Sequence, residues 1–239
     1  MYNLAILFSL FIIYSAIGYI IEIIAVAIDS GELNFSRGFL IGPIIPIFGV
    51  GGLLLYLLLN KYLNDIPVLF IMAMVMCTTL EYITSYIMEK IFGLRWWDYS
   101  DKKMNLNGRV CLSNAIGFGF AGTIITTIIN PRILGFLYNI PINTLYIISI
   151  IILIIFLTDL ILSTSILVKL KLNVDSLTEK DATPRIKREV RKELSRRSVL
   201  TKRLIRAFPD LSKLNKSFRK YRVENLILGR KRFNFFKNK

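Results

Sequence analysis

The residues able to do chemistry are concentrated between Glu81 and Asn114, EYITSYIMEKIFGLRWWDYSDKKMNLNGRVCLSN. Glu81, Ser85 and Glu89 recur at i, i+4 and i+8, the spacing that sets side chains on one face of a helix. Thr78, Tyr82 and Tyr86 add polar edges to that face. All of them lie in an otherwise apolar run, and an ionisable residue in such a run costs roughly 2.5–3.5 kcal/mol to insert into a membrane unless it finds a partner or water. A carboxylate held there is suited to line a polar path or to work as an acid or base. The run ends in Arg95-Trp96-Trp97-Asp98-Tyr99-Ser100-Asp101, followed by Asn105-Leu106-Asn107-Gly108-Arg109. Paired tryptophans at the end of an apolar run mark a membrane interface. Asn107-Gly108 predicts a tight turn. Asp98 and Asp101 alone supply too few oxygens for a hard-cation site, so no metal and no other cofactor is expected.

The elements that must position these residues are membrane spans. Crossing the hydrocarbon core takes about 20 apolar residues. Five runs qualify: Leu4–Ile28, Phe39–Leu59, Val68–Phe92, Leu112–Ile129 and Leu145–Val168. They lack the period-2 alternation of barrel strands, which leaves helix as the spanning form. The fold class is therefore all-α: a polytopic integral membrane protein with five transmembrane helices. The first run has no basic leader and no small-residue cleavage site, and is expected to be retained as a span. Pro43 and Pro46 remove two backbone donors from the second and predict a kink.

The chain of 239 residues is 54% hydrophobic with a mean hydropathy of +0.55, and its net charge of +15 lies almost wholly at one end. Residues 1–170 carry nine Lys/Arg and nine Asp/Glu, whereas 171–239 carry 22 and seven. The expected organisation is a transmembrane domain over 1–170 and a basic cytoplasmic tail over 171–239. The tail has apolar residues at helical spacing on either side of Pro209. Basic amphipathic helices of this kind lie on anionic lipid headgroups, each basic residue contributing about 1 kcal/mol. No nucleic-acid motif is present.

Positive residues favour the cytoplasmic side. Placing the tail there leaves only Lys61 and Arg132 outside, so the expected orientation in a bacterial cell membrane is N-terminus out and C-terminus in. Glu22, Glu81, Glu89 and Asp159 then fall in the cytoplasmic half. They predict a shared polar cavity with Arg37, Arg95 and Arg109 as counter-charges, and with Ser85, Trp97, Asp98, Asn105 and Asn107 as further candidate residues. There is no histidine, no phosphate-binding G-x-x-x-x-G-K-[ST] loop and no H-E-x-x-H, G-x-S-x-G or C-x-x-C. The two cysteines are too few for a disulfide framework.

Three stretches carry a resemblance: R-G-F-L-x-G-P-x-x-P-x-x-G-x-G from Arg37 to Gly51, E-Y-x-T-S from Glu81 to Ser85, and R-W-W-D-Y-S with N-L-N-G-R-x-C-L from Arg95 to Leu112. Together they resemble the bacterial membrane proteins named putative ABC-transporter type IV, or putative ABC transporter permeases. The resemblance implies a permease that depends on a separate ATP-binding subunit. Three functions remain open at this point. The chain could be a transport or channel-like component, with Glu22, Glu81 and Asp159 lining the cavity. It could be a membrane-embedded enzyme acting on a lipid or isoprenoid headgroup, with Glu81 or Asp98 as acid/base. It could be a non-catalytic assembly or regulatory protein working through its tail. The absence of catalytic motifs weighs against the enzyme.

Overall fold

The computed structural model describes residues 4–178 apart from 32, 34, 36, 37 and 93–95. Apolar helices dominate it: α1 (Leu4–Ser30), α2 (Pro46–Leu59), α3 (Ile66–Phe92), α4 (Leu112–Ile124), α5 (Asn130–Tyr138) and α6 (Ile142–Thr178). A two-stranded antiparallel hairpin, β1 (Asn105–Leu106) and β2 (Val110–Cys111), precedes α4. Among the described residues, four helical stretches are long and apolar enough to cross a membrane: Leu4–Ile28, Ile66–Phe92, Leu112–Tyr138 and Ile142–Val168. Exposed isoleucines such as Ile147, Ile154 and Ile161 fall at seven-residue spacing along α6. On a soluble protein so much exposed apolar surface would be a liability; in a bilayer it is the surface lipid covers. The chain is a polytopic membrane protein of the all-α class.

Two spans differ from the sequence expectation. The second is helical only from Pro46, and its apolar helix, Pro46–Tyr62, is shorter than a full crossing. Proline at the first helical position fits a start, so Pro46 opens a helix rather than kinking one. Residues 38–45 run as bends and coil into it. The fourth does not stop at Ile129. It passes through a π-helical turn, Ile125–Ile129, into α5. Pro131 explains the turn: it has no N–H to donate and its ring crowds the carbonyl four residues earlier, which the wider π spacing relieves. Arg132, expected in a loop, instead lies in α5 and returns its guanidinium to the Ile128 carbonyl at 3.0 Å. The amphipathic helices expected in the tail lie outside the described residues.

α1 and α2 pack closely. A Cβ on Gly49 would collide with Ser15 Oγ and the Phe11 carbonyl, and one on Gly52 would collide with the Tyr14 ring. Small residues of this kind allow helices to approach in lipid, where packing replaces the hydrophobic drive. Because Phe11 presents backbone, it cannot rotate away. Gly49→Ala is therefore expected to cost about 1–3 kcal/mol, read as a lower unfolding temperature in detergent. One buried apolar cluster joins Leu10, Tyr14, Tyr56, Leu137 and Leu145. At its centre the Tyr14 hydroxyl donates to Asn130 Oδ1, both residues being buried. α6 leans on α1 through Phe11 and Phe156, whose rings meet edge to face at 5.4 Å.

Candidate functional site

The expected face of α3 forms as the spacing requires. Glu81 is 7% exposed and Ser85 3%, and Glu89 follows one turn later. The connection from Trp96 to Cys111 folds back over this face and supplies its partners. Arg109, 8% exposed, makes an ion pair with Glu89 at 2.6 Å and donates to Ser85 Oγ at 3.3 Å. Its guanidinium also lies over the rings of Tyr82 and Tyr86, at 5.7 and 5.4 Å. The Tyr99 hydroxyl donates to Glu81 Oε1 at 3.1 Å. Burial, followed by the neighbouring charge of Glu81, holds the Tyr99 phenol well above its usual range, so it stays protonated and remains a donor. Glu22 of α1 also acts on Tyr99 electrostatically, as the smallest of the influences on it.

The connection holds its shape through backbone bonds that its sequence supplies. Asn107 and Gly108 both adopt positive φ, at 55° and 67°. The Arg109 N–H returns to the Leu106 carbonyl at 3.0 Å, closing the tight turn that Asn-Gly predicts. Asn105 braces the loop, donating to the Lys102 carbonyl at 2.9 Å and accepting from the Gly108 N–H at 2.9 Å. Trp97 Nε1 donates to the Arg109 carbonyl at 2.9 Å, which fixes the arginine from behind. Asn107 Nδ2 reaches the Tyr82 hydroxyl at 2.9 Å and ties the hairpin to α3. Trp96 packs against Phe39 and Phe92, with ring centroids 5.8 and 6.1 Å away.

Residues 9–164, well over half of the chain, match the family described as Putative ABC-transporter type IV. The chain belongs to that family. No curated protein and no solved structure matches it significantly. The matched stretch takes in α1 through most of α6 and so includes every element of the site.

The expected cavity residues that the structure describes divide into three sets. Glu81, Ser85, Glu89, Arg109, Trp97 and Asn107 come together on or against the α3 face, with Glu22 nearby. Asp98 and Asn105 turn instead to the loop's own backbone; Asp98 Oδ1 accepts from Ser100 N and Oγ at 3.0 and 2.5 Å, an exposed turn. Asp159 serves a different purpose. Its carboxylate accepts from the N–H groups of Ile41 and Gly42, at 2.9 and 2.7 Å, and from Ser163 Oγ at 2.9 Å. It caps the non-helical entry to α2. Arg37 and Arg95 lie outside the described residues. Tyr99 was absent from the expected set although it contacts Glu81 directly. Its position two residues beyond Trp97, in a connection that must return to α3, was the available signal.

Proposed function

We propose that this chain is the membrane-embedded component of a transporter. Its polar site would be the α3 face bearing Glu81, Ser85 and Glu89, covered by the Trp96–Cys111 connection. The observation that carries the reading is the placement of Glu81: a carboxylate 7% exposed, about halfway along a spanning helix, and met by a side chain from a loop that folds back onto it. Acids kept at that depth mark substrate or ion paths by default. Membership of the ABC-transporter type IV family supports the same reading. With no phosphate-binding loop of its own, the chain would draw on a separate ATP-binding subunit.

The orientation that suits this role puts the N-terminus outside the bacterial cell membrane and the C-terminus in the cytoplasm. The distribution of Lys/Arg supports it, and the site then opens toward the cytoplasm. The basic tail would hold anionic lipid headgroups on that side, its 22 Lys/Arg against seven Asp/Glu supplying the attraction.

A pull-down from detergent-solubilised native membranes, tagged after Lys239, tests the proposal. An ATP-binding protein is expected in fixed ratio. Glu81→Gln, which keeps size and removes charge, is expected to lower transport by the reconstituted pair at least about tenfold while leaving the pull-down ratio unchanged. Recovery of the chain alone, or full transport by Glu81→Gln, would overturn it. The contact between Tyr99 and Glu81 also suits proton transfer to a lipid headgroup at the cytoplasmic leaflet. Turnover of a lipid by the isolated chain, lost in Glu81→Gln, would favour that enzyme reading instead.

A further inference from the structure

Glu81 has two carboxylate oxygens, and the fold satisfies one of them. Oε1 accepts from Tyr99, whereas Oε2 is buried with no hydrogen-bond partner among the described residues. One turn earlier on the same face, Thr78 Oγ1 is also buried and unpartnered. Five other threonines in the described helices are satisfied differently. Thr79, Thr123, Thr126, Thr127 and Thr158 each return their hydroxyl to the carbonyl four residues back, at 2.7–2.8 Å. Such back-bonding is the local way to satisfy a helical threonine, and Thr78 forgoes it.

The charges around this pair do not neutralise it. Among the described residues, Glu22 of α1, Tyr99 and Cys111 of the connection, and Cys77 of α3 are the titratable groups acting here, and none of these brings positive charge. Arg109 lies farther along the face and is committed to Glu89 and Ser85. Asp159 of α6 is turned to Ile41 and Gly42. A carboxylate oxygen removed from water without a donor or counter-ion costs several kcal/mol, and a second carboxylate nearby raises that cost.

The structure assigns to Glu81 and Thr78 a binding site for a small monovalent cation, either a proton or an alkali ion, within the spanning part of α3. A proton on Oε2 would remove the buried negative charge there, which no described donor or counter-ion meets. An alkali ion would draw on both oxygens. The inference goes beyond the transport reading, because occupancy can be measured whether or not anything is moved.

The probe is dicyclohexylcarbodiimide, which modifies carboxyls that are protonated and in apolar surroundings. The full chain is reconstituted in vesicles in alkali-free choline buffer, and modification of Glu81 is read by peptide mass spectrometry, with Glu81→Gln confirming the assignment. If the occupant is a proton, labelling falls about tenfold per pH unit on the alkaline limb, and sodium or potassium chloride leaves it unchanged. If the occupant is an alkali ion, adding that ion at fixed pH protects Glu81 at least about fivefold, by simple mass action. Thr78→Val moves the midpoint, in pH or in salt, by at least about threefold in concentration. Absence of labelling anywhere between about pH 5 and 9, or labelling that responds to neither pH nor alkali salt, overturns the site. An unmoved midpoint in Thr78→Val removes Thr78 from it.

Discussion

Arg109→Ala is expected to destabilise the protein by about 3–5 kcal/mol, the usual cost of removing one partner from a buried ion pair. The arginine and Glu89 are both largely hidden from solvent, at 10% and 14% side-chain exposure, so little of that figure is lost to screening. The substitution removes the cation paired with Glu89, takes the guanidinium donor from Ser85, and uncovers the rings of Tyr82 and Tyr86. The connection should then loosen from α3, held only by contacts such as Tyr99 to Glu81 and Asn107 to Tyr82, because Arg109 joins it to Glu89 through its guanidinium while Trp97 holds its carbonyl. Thermal unfolding in detergent measures the first effect, and faster proteolysis between Trp97 and Arg109 measures the second. Arg109→Met combined with Glu89→Gln should recover most of the stability, since removing both charges of a buried pair is nearly neutral. No recovery in the double variant would show that the packing of Arg109, rather than its charge, holds the loop.

Asp159→Ala should be nearly as costly, for a different reason. In the bilayer, backbone that leaves the helical form must find its hydrogen bonds inside the protein. Ile41 and Gly42 find theirs in one carboxylate, and Ile41 also donates to Ser163 Oγ at 3.1 Å. Hydrogen bonds to charged groups contribute about 1.5–3 kcal/mol each, so losing both is expected to cost about 3–6 kcal/mol. Asp159→Asn keeps an acceptor and should lose roughly half as much. If hydrogen exchange at Ile41 and Gly42 is no faster in Asp159→Ala than in the parent chain, the capping role fails. If Asp159→Ala instead abolished transport with exchange unchanged, Asp159 would belong to the conduction path after all.

The run lengths made most of this fold legible. α1 begins where the apolar run begins, and α3 ends at Phe92 as expected. The face shared by Glu81, Ser85 and Glu89 followed from helical spacing alone. Partners distant in sequence were not legible. Three arginines were available for Glu89, and nothing in their spacing favours Arg109; only the hairpin turn at Asn107-Gly108 brings it back to α3. Asp159 looked like another acid of the same cavity because depth in the membrane is all a linear reading gives. Its real partners are 118 and 117 residues away in sequence. Pro46 and Arg132 misled in a similar way. A proline reads as a break and a charge reads as a boundary, but the first opens α2 and the second reaches back to a carbonyl of its own helix.

β2 ends at Cys111 and α4 begins at Leu112, with no residue between them. The strand and the helix therefore have no linker to absorb independent motion, and a tilt of one would carry the other with it, as in a bent lever. Arg109 sits three residues before α4, about 10 Å along an extended chain. A tilt of α4 by about 10° would displace its guanidinium by nearly 2 Å, comparable with the whole margin of a close ion pair. Rocking of α4 against α3 would thus be converted directly into making or breaking the clasp over Glu81, with the hairpin as the transmission.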